Sequence, residues 1–359
     1  MTRARDLSIP FEGTPGLWNA ITDVEGVTVG YTTLVADTDD ARAIRTGVTA
    51  ILPRGAHPEA PVFAGWFALN GNGEMTGTTW IEESGFLEGP VVLTNTHSVG
   101  VVRDAVVAWQ VQHNALFQLW SNPLVAETYD GYLNDINGFH VQAAHVWQAL
   151  DSAQSGPVAE GNVGGGTGMM CYEFKGGTGT ASRRVNIKGS LFTIGVLVQA
   201  NFGVRHQLQI AGVPVGKLLT AEAPFTGGAD LYQEQGSIIV VVATDAPLLP
   251  HQLKRVAKRA SMGIARTGGM AGNGSGDIFV AFSTANAGAA RPSAPLAQVQ
   301  MLPNEAMTPL FNATALATEE AILNALIAAE TMRGQAGRTA IALPHDQLRA
   351  VLAQRLASH

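Results

Sequence analysis

A glycine-dense turn, Ala271-Gly272-Asn273-Gly274-Ser275-Gly276-Asp277, runs straight into an apolar stretch, Ile278-Phe279-Val280-Ala281-Phe282-Ser283. The stretch has the composition of a buried strand, so the turn before it must sit at the rim of a core. Glycine adopts backbone angles that other residues avoid and lets another group come close to the main chain. Ser275 stands at the junction, held by the strand and reachable on both flanks. A serine in that position can act as a nucleophile. It can also attack its own preceding carbonyl, that of Gly274, which would cut the chain and leave Ser275 as a new N-terminus. A free α-amine has a reference pKa of about 7.7–8. It can therefore serve as general base for the neighbouring hydroxyl. The same heptad also suits a plain tight turn with Ser275 as a spectator, and the rest of the chain decides between the two.

With 359 residues, 46% of them hydrophobic and 14% charged, the chain can build a large core with little charged surface, a pattern that also fits an oligomer. A net charge of −7 argues against a nucleic-acid partner bound through its phosphates. Lys254, Arg255, Lys258 and Arg259 read as the wet face of a helix. Cys171 is the only cysteine, which rules out an internal disulfide and a cysteine-based zinc site. The nine histidines show no HExxH or HxH spacing. No metal and no cofactor is expected. No apolar run reaches the roughly 18–20 residues of a membrane span. Met1-Thr2-Arg3-Ala4-Arg5-Asp6 is not followed by the apolar core of a secretory signal. A cytoplasmic protein is expected, with a periplasmic one left open.

Strands are predicted at the end of Gly16–Tyr31 and over Val48–Pro53, Pro61–Leu69 and Gly89–Thr94. Helices are predicted over Gly100–Trp120 and His140–Ala153. Gly156–Ala181 is the most glycine-rich region. A phosphate loop would need Lys-Ser/Thr at a set spacing before a helix, and none follows. Lys188–Ala200 carries a strand-pair signal, and Ser237–Ala243 reads as a fully buried strand. A helix is predicted over His251–Arg266, irregular chain over Gly288–Asn312, and helices over Ala317–Met332 and Asp346–Ala357. Strands and helices mix without regular βα alternation. That predicts an α+β fold of packed layers with mostly antiparallel sheets, in a single domain spanning 1–359.

Several pieces then fall in one order: Thr94-Asn95-Thr96-His97-Ser98-Val99-Gly100, the run from Glu160 to Lys175, Gln199-Ala200-Asn201-Phe202-Gly203 and Ala243-Thr244-Asp245-Ala246-Pro247-Leu248. They continue with Gly272–Asp277, Thr318-Glu319-Glu320-Ala321 and Leu343-Pro344. Taken together they resemble the self-processing L-aminopeptidase/D-amino-acid esterase (DmpA) and β-peptidyl aminopeptidase family. The resemblance implies a four-layer αββα sandwich similar to N-terminal-nucleophile hydrolases but differently connected. It implies autoproteolysis between Gly274 and Ser275 into an α chain (1–274) and a β chain (275–359), and a homotetramer. The implied activity is release of N-terminal residues from small peptides, amino-acid amides or esters.

The resemblance also assigns roles. Ser275 would be the nucleophile of both self-cleavage and substrate acyl transfer. Thr318 and Glu320 look like the family's Ser-x-Glu pair near the nucleophile, with threonine where serine is familiar; the alternative for Thr318 is a helix N-cap. Glu160 resembles the acid that holds the substrate's free amine, the alternative being a surface-loop glutamate. Tyr172 looks like the tyrosine aimed at the oxyanion, the alternative being a core aromatic. The family's oxyanion asparagine falls by spacing near Asp245, and an ionised aspartate cannot donate a hydrogen bond. Asn201 stands in as the candidate donor. Two rival readings remain: an acyltransferase of the ornithine acetyltransferase type, and a non-catalytic binding protein on the same scaffold.

Overall fold

The computed structural model describes all residues except Met1, 39–41, 56, 58, 221–235, 291–294 and 357–359. In chain order the strands are β1 (Thr28–Asp37), β2 (Ala43–Leu52), β3 (Val62–Gly71), β4 (Phe86–Leu87), β5 (Val91–Asn95) and β6 (Leu124–Thr128), then β7 (Gly177–Ile187), β8 (Ser190–Asn201), β9 (Ser237–Thr244) and β10 (Gly276–Ser283). The helices are α1 (Thr78–Ser84), α2 (Val99–Gln112), α3 (Ala143–Asp151), α4 (Pro250–Ala257), α5 (Ala260–Arg266), α6 (Thr308–Ala328) and α7 (His345–Leu356). The strands form a four-stranded sheet, β1-β2-β5-β6, and a six-stranded sheet, β4-β3-β10-β9-β8-β7. Neighbours run antiparallel except β5–β6 and β9–β10.

The two sheets pack face to face. Leu197, Ile239, Val241, Ile278, Val280 and Phe282 meet Ile51, Val91, Leu93 and Leu124 between them. The strand period of two turns the intervening residues outward. Val196, Val198, Val240 and Phe279 pack beneath Leu253, Ile264, Leu310 and Ile322 of the helices. Val48, Ala50, Val92 and Val125 pack beneath Val102, Val106, Val146 and Leu150. This is the expected αββα sandwich. β9 and β10 lie centrally and are buried along their whole length, which is why they read as unbroken apolar runs. Among the described residues no helix is long and apolar enough to cross a membrane.

Three sequence expectations shift. The glycine-rich tail at 177–187 is a strand, β7, because its glycines admit other chain: a Cβ on Gly179 would fall 2.0 Å from the Ala321 carbonyl oxygen of the helix above, and one on Gly177 2.1 Å from the Gly161 carbonyl oxygen. Helix α6 begins at Thr308, inside the stretch expected to be irregular, with Pro309 in its first turn, where the missing N–H costs nothing. Helix α2 ends at Gln112, well before Trp120, and Asn114 turns the chain at φ 52°. The helix over Asp346–Ala357 is α7, with Ala357 outside the described residues.

Register fixes where the Ser275 turn sits. Gly276, the first residue of β10, pairs with Ser237 on one side, and Ser237 pairs with Asn201. On the other side Gly276 pairs with Gly71 and Asp277 with Asn70, and the register slips between Asp277 and Ile278. Such a bulge re-aims the side chains beside it.

Candidate active site

Ser275 is fully buried at the mouth of β10. Its main-chain N–H donates to the Gly272 carbonyl at 2.9 Å and closes the turn. The Asn70 amide donates to the same Gly272 oxygen. The Asn72 amide Nδ2 donates to the Gly274 carbonyl at 2.9 Å, and the Asn72 N–H to the Ser275 carbonyl at 3.3 Å. The Ser275 hydroxyl donates to Asp277 Oδ1 at 2.7 Å. Glycine is required at 276 because a Cβ there would lie 2.6 Å from the Asn72 carbonyl oxygen.

Glu127, near the end of β6, sits against this junction. The point that a Gly73 Cβ would occupy is 3.2 Å from Glu127 Oε1 and 3.2 Å from Gly276 Cα. Glu127 Oε1 accepts the Glu74 N–H at 3.0 Å, and Oε2 accepts the Thr96 hydroxyl. Burial pushes the Glu127 carboxyl above its ordinary range, and the Thr96 and Glu74 bonds only partly offset that. Asn201 ends β8 and lies two strands from Gly276, about 10 Å at the usual spacing. By strand alternation it faces the space between the sheets, as Leu197 and Gln199 do. Its Oδ1 accepts the Met170 N–H at 2.8 Å, which fixes the amide's orientation. Gln199 ties the sheets together here, donating to the Thr94 carbonyl at 2.9 Å and to the Thr128 hydroxyl at 2.8 Å. Thus Thr94–Thr96, Gln199–Asn201 and Gly272–Asp277 converge on one end of the sandwich.

The other expected site residues have partners of their own. The Glu320 carboxylate is held by both nitrogens of a bidentate Arg5 contact at 2.7 and 2.8 Å, by Asn19 Nδ2 at 2.6 Å and by Arg183 at 2.7 Å. Arg183 is level with Ile194, Thr244 and Ser283, the far end of β10 from Ser275. Burial alone would raise the Glu320 pKa, but Arg5, Arg183 and Asn19 outweigh it and hold the carboxyl below its ordinary value. Thr318 lies in the middle of α6 and is not its N-cap; its hydroxyl donates back to the Thr314 carbonyl at 2.8 Å.

The sequence expectation put the amine anchor at Glu160. That carboxylate instead pairs with Arg3 at 2.7 Å and accepts the Thr180 N–H at 2.8 Å. Thr180 is on β7, three strands from β10. Burial pushes Glu160 up to about 7, against the pull of Arg3. Tyr172 is a core aromatic: its ring packs edge-on against Phe202 at 5.0 Å and its hydroxyl shares a hydrogen bond with Thr267 at 2.8 Å. Asp245 caps the far end of β9 and accepts the Thr193 N–H at 2.7 Å. In the glycine-rich loop, Lys175 turns its ammonium to main-chain carbonyls. Its ammonium donates to the Met169 and Gly176 carbonyls at 2.9 and 2.8 Å, and burial lowers it to about 7.

Sequence reasoning missed Glu127, Asn70, Asn72 and Asp277. Glu127 did leave a signal, being a lone acid directly after the apolar run Leu124–Ala126. Asn70 and Asn72 were visible only as a Gly-Asn loop, and nothing local tied that loop to residue 274.

A sequence profile described as peptidase family S58 matches residues 19–340. The β-peptidyl aminopeptidase BapA of Sphingosinicella microcystinivorans is 55% identical over 98% of this chain and 91% of its own length. The BapA of Sphingosinicella xenopeptidilytica is 46% identical over the same shares. Among solved structures, the L-aminopeptidase D-Ala-esterase/amidase of Ochrobactrum anthropi, described as a prototype serine aminopeptidase with a variant Ntn hydrolase fold, superposes with a TM-score of 0.92 at 52% identity, covering 99% of each chain. A Burkholderia sp. β-aminopeptidase superposes with a TM-score of 0.91 at 51% identity, covering 98% of this chain and 99% of its own. With the Ser275 turn built as described and these likenesses spanning nearly its full length, the chain belongs to peptidase family S58 and is a serine-type aminopeptidase.

Proposed function

We propose that this chain cuts itself between Gly274 and Ser275, giving 1–274 and 275–359. The freed Ser275 then releases N-terminal residues, β-amino acids among them, from small peptides, amides or esters. The observation that carries this reading is the buried Ser275 hydroxyl on Asp277, with the Glu127 carboxylate against the Gly73–Gly276 contact next to it. After the cut, the Ser275 α-amine serves as general base for its own hydroxyl. Glu127 takes the substrate's ammonium, the role that the resemblance had suggested for Glu160. The Asn201 amide, fixed by Met170, faces the developing oxyanion. Water then releases the acyl group. Exposed Leu17, Leu119 and Trp120 supply apolar surface for assembly into a homotetramer.

The test compares an amino-acid p-nitroanilide with its N-acetyl form. Losing a desolvated charge partner costs about 2–4 kcal/mol, or roughly 30- to 1,000-fold. Glu127→Gln is expected to lower kcat/KM for the free amine by that factor, and Glu160→Gln to leave the discrimination unchanged. Equal cleavage of the acetylated substrate by wild type refutes the anchor. The pH profile gives a second reading. Glu127 binds an ammonium only when ionised, and its pKa is raised. Acidification should therefore lower wild-type kcat/KM through two protonations, that of the Ser275 α-amine and that of Glu127 from above the ordinary carboxylate range, and Glu127→Gln should keep the first and lack the second.

A further inference from the structure

We infer that Asn72 is a catalytic residue of maturation, its side-chain amide taking the negative charge that builds on the Gly274 carbonyl, and that Asp277 takes the proton of Ser275. This rests on the self-cleavage proposed above. The Gly274 carbonyl is the group that the Ser275 hydroxyl attacks, and Asn72 Nδ2 already donates to it at 2.9 Å. Oxyanion donors act at about 2.7–3.1 Å.

The turn is held so that this contact persists. At its start, the Gly272 oxygen accepts both the Asn70 amide and the Ser275 N–H. At its end, the Asn72 N–H donates to the Ser275 carbonyl, so Asn72 brackets the scissile peptide from both sides. Only a glycine at 276 lets the Asn72 main chain come this near, since the Asn72 oxygen lies 2.6 Å from where a Cβ would stand. On the other flank the Ser275 Oγ–H points at Asp277 Oδ1, 2.7 Å away. Attacking group, proton acceptor and charge acceptor are thus assembled around one peptide bond, while Gly274 itself is only half-buried and open to water.

The step balances as follows. The Ser275 Oγ–H bond breaks and its proton passes to the Asp277 carboxylate. Oγ bonds to the Gly274 carbonyl carbon, and the carbonyl electron pair moves onto the oxygen facing Asn72. On collapse, the bond from that carbon to the Ser275 nitrogen breaks. The nitrogen takes the proton from Asp277 and becomes an amine, leaving an ester between Gly274 and Oγ. Water adds to the ester carbon, Oγ departs with a proton, and the Gly274 carboxylate separates from Ser275. Until this point the Ser275 nitrogen is an amide with no basicity, so the first proton needs another acceptor, which Asp277 supplies.

The experiment follows freshly translated full-length chain by intact mass over time. Asn72→Asp keeps the shape and loses the donor; Asn72→Ala loses both. Removing one oxyanion donor costs about 100- to 1,000-fold, so both variants should convert to 1–274 plus 275–359 more slowly than wild type by about that factor. Asp277→Asn should also slow conversion. The uncut variants are expected to melt with the uncut Ser275→Ala chain, which serves as the folded reference. Cutting of the Asn72 variants at the wild-type rate overturns the donor role and leaves self-cleavage standing, and wild-type cutting by Asp277→Asn overturns the base role. A slowed variant that melts well below Ser275→Ala also counts against the donor, since a loosened turn then accounts for the loss. Wild type that never cuts refutes the underlying reading instead.

Discussion

Ser275→Ala is expected to persist as one polypeptide and to lose aminopeptidase activity by a factor on the order of 10⁶, the loss seen when a serine hydrolase is deprived of its nucleophile. Two independent losses follow from one missing oxygen. Without the hydroxyl, the Gly274 carbonyl is never attacked, so the main-chain nitrogen at 275 stays an amide and no general base forms. Without the hydroxyl, no acyl-enzyme forms either. Packing does not confound the result, because alanine fits where serine does and the turn is held by main-chain and asparagine contacts that alanine retains. A denaturing gel and hydrolysis of an amino-acid p-nitroanilide read both losses. Retained activity above about one part in a thousand would remove Ser275 from the chemistry.

The second large effect concerns stability. Glu320→Ala is expected to destabilise the fold by about 3–5 kcal/mol, the usual cost of leaving a buried partner charge unmatched. Glu320 has a side-chain exposure of 0% and the Arg183 side chain one of 2%, so Arg183 would lose its carboxylate in a site water does not reach. Arg5 and Asn19 lose the same acceptor. Glu320 lies in 275–359 while Arg5, Asn19 and Arg183 lie in 1–274, so this network also ties the two proposed fragments together once the bond between them is cut. The pH dependence has a defined sign. The folded-state pKa of Glu320 is depressed. Its contribution is present above the unfolded carboxylate pKa and is lost as pH falls through the folded value. Glu160 acts in the opposite sense. With its folded pKa raised to about 7, folding favours its protonated form, and its contribution declines as pH rises from the unfolded pKa towards about 7. Denaturant unfolding is best measured in the uncut Ser275→Ala background, where both partners share one chain. A difference under about 1 kcal/mol between that protein and its Glu320→Ala derivative would show the network to be dispensable.

The parts of this fold that could be read in advance are those whose cause is local. Ser237–Ala243 and Ile278–Phe282 are apolar without interruption because each strand is covered on both faces. The glycines around Ser275 mark a turn that another segment must approach, and Asn72 does approach it. Strand β7 was hidden because one of its glycines, Gly179, serves α6, which arrives from more than a hundred residues later in the chain. The start of α6 was hidden because Pro309 reads as a breaker unless the helix is known to begin there. Two of the expected roles meet one physical ambiguity. A buried glutamate can serve either a substrate or an internal arginine, and Glu160 and Glu320 have theirs in Arg3 and Arg5 of the N-terminal segment. Glu127 comes near Gly276 only because two sheets pack together, and no spacing along the chain records that. Asn201, named as a stand-in donor when Asp245 did not fit, ends β8, and since β8, β9 and β10 are neighbours it falls at the same end of the sheet as Gly276.

The most direct measurement is intact-mass spectrometry of the purified wild-type protein under denaturing conditions, with N-terminal sequencing of each species. The account predicts two polypeptides, 1–274 and 275–359, the smaller beginning at Ser275 and carrying a free α-amine, with aminopeptidase activity appearing in step with their formation. A wild-type protein that stays a single uncut chain after long incubation and is fully active would contradict it.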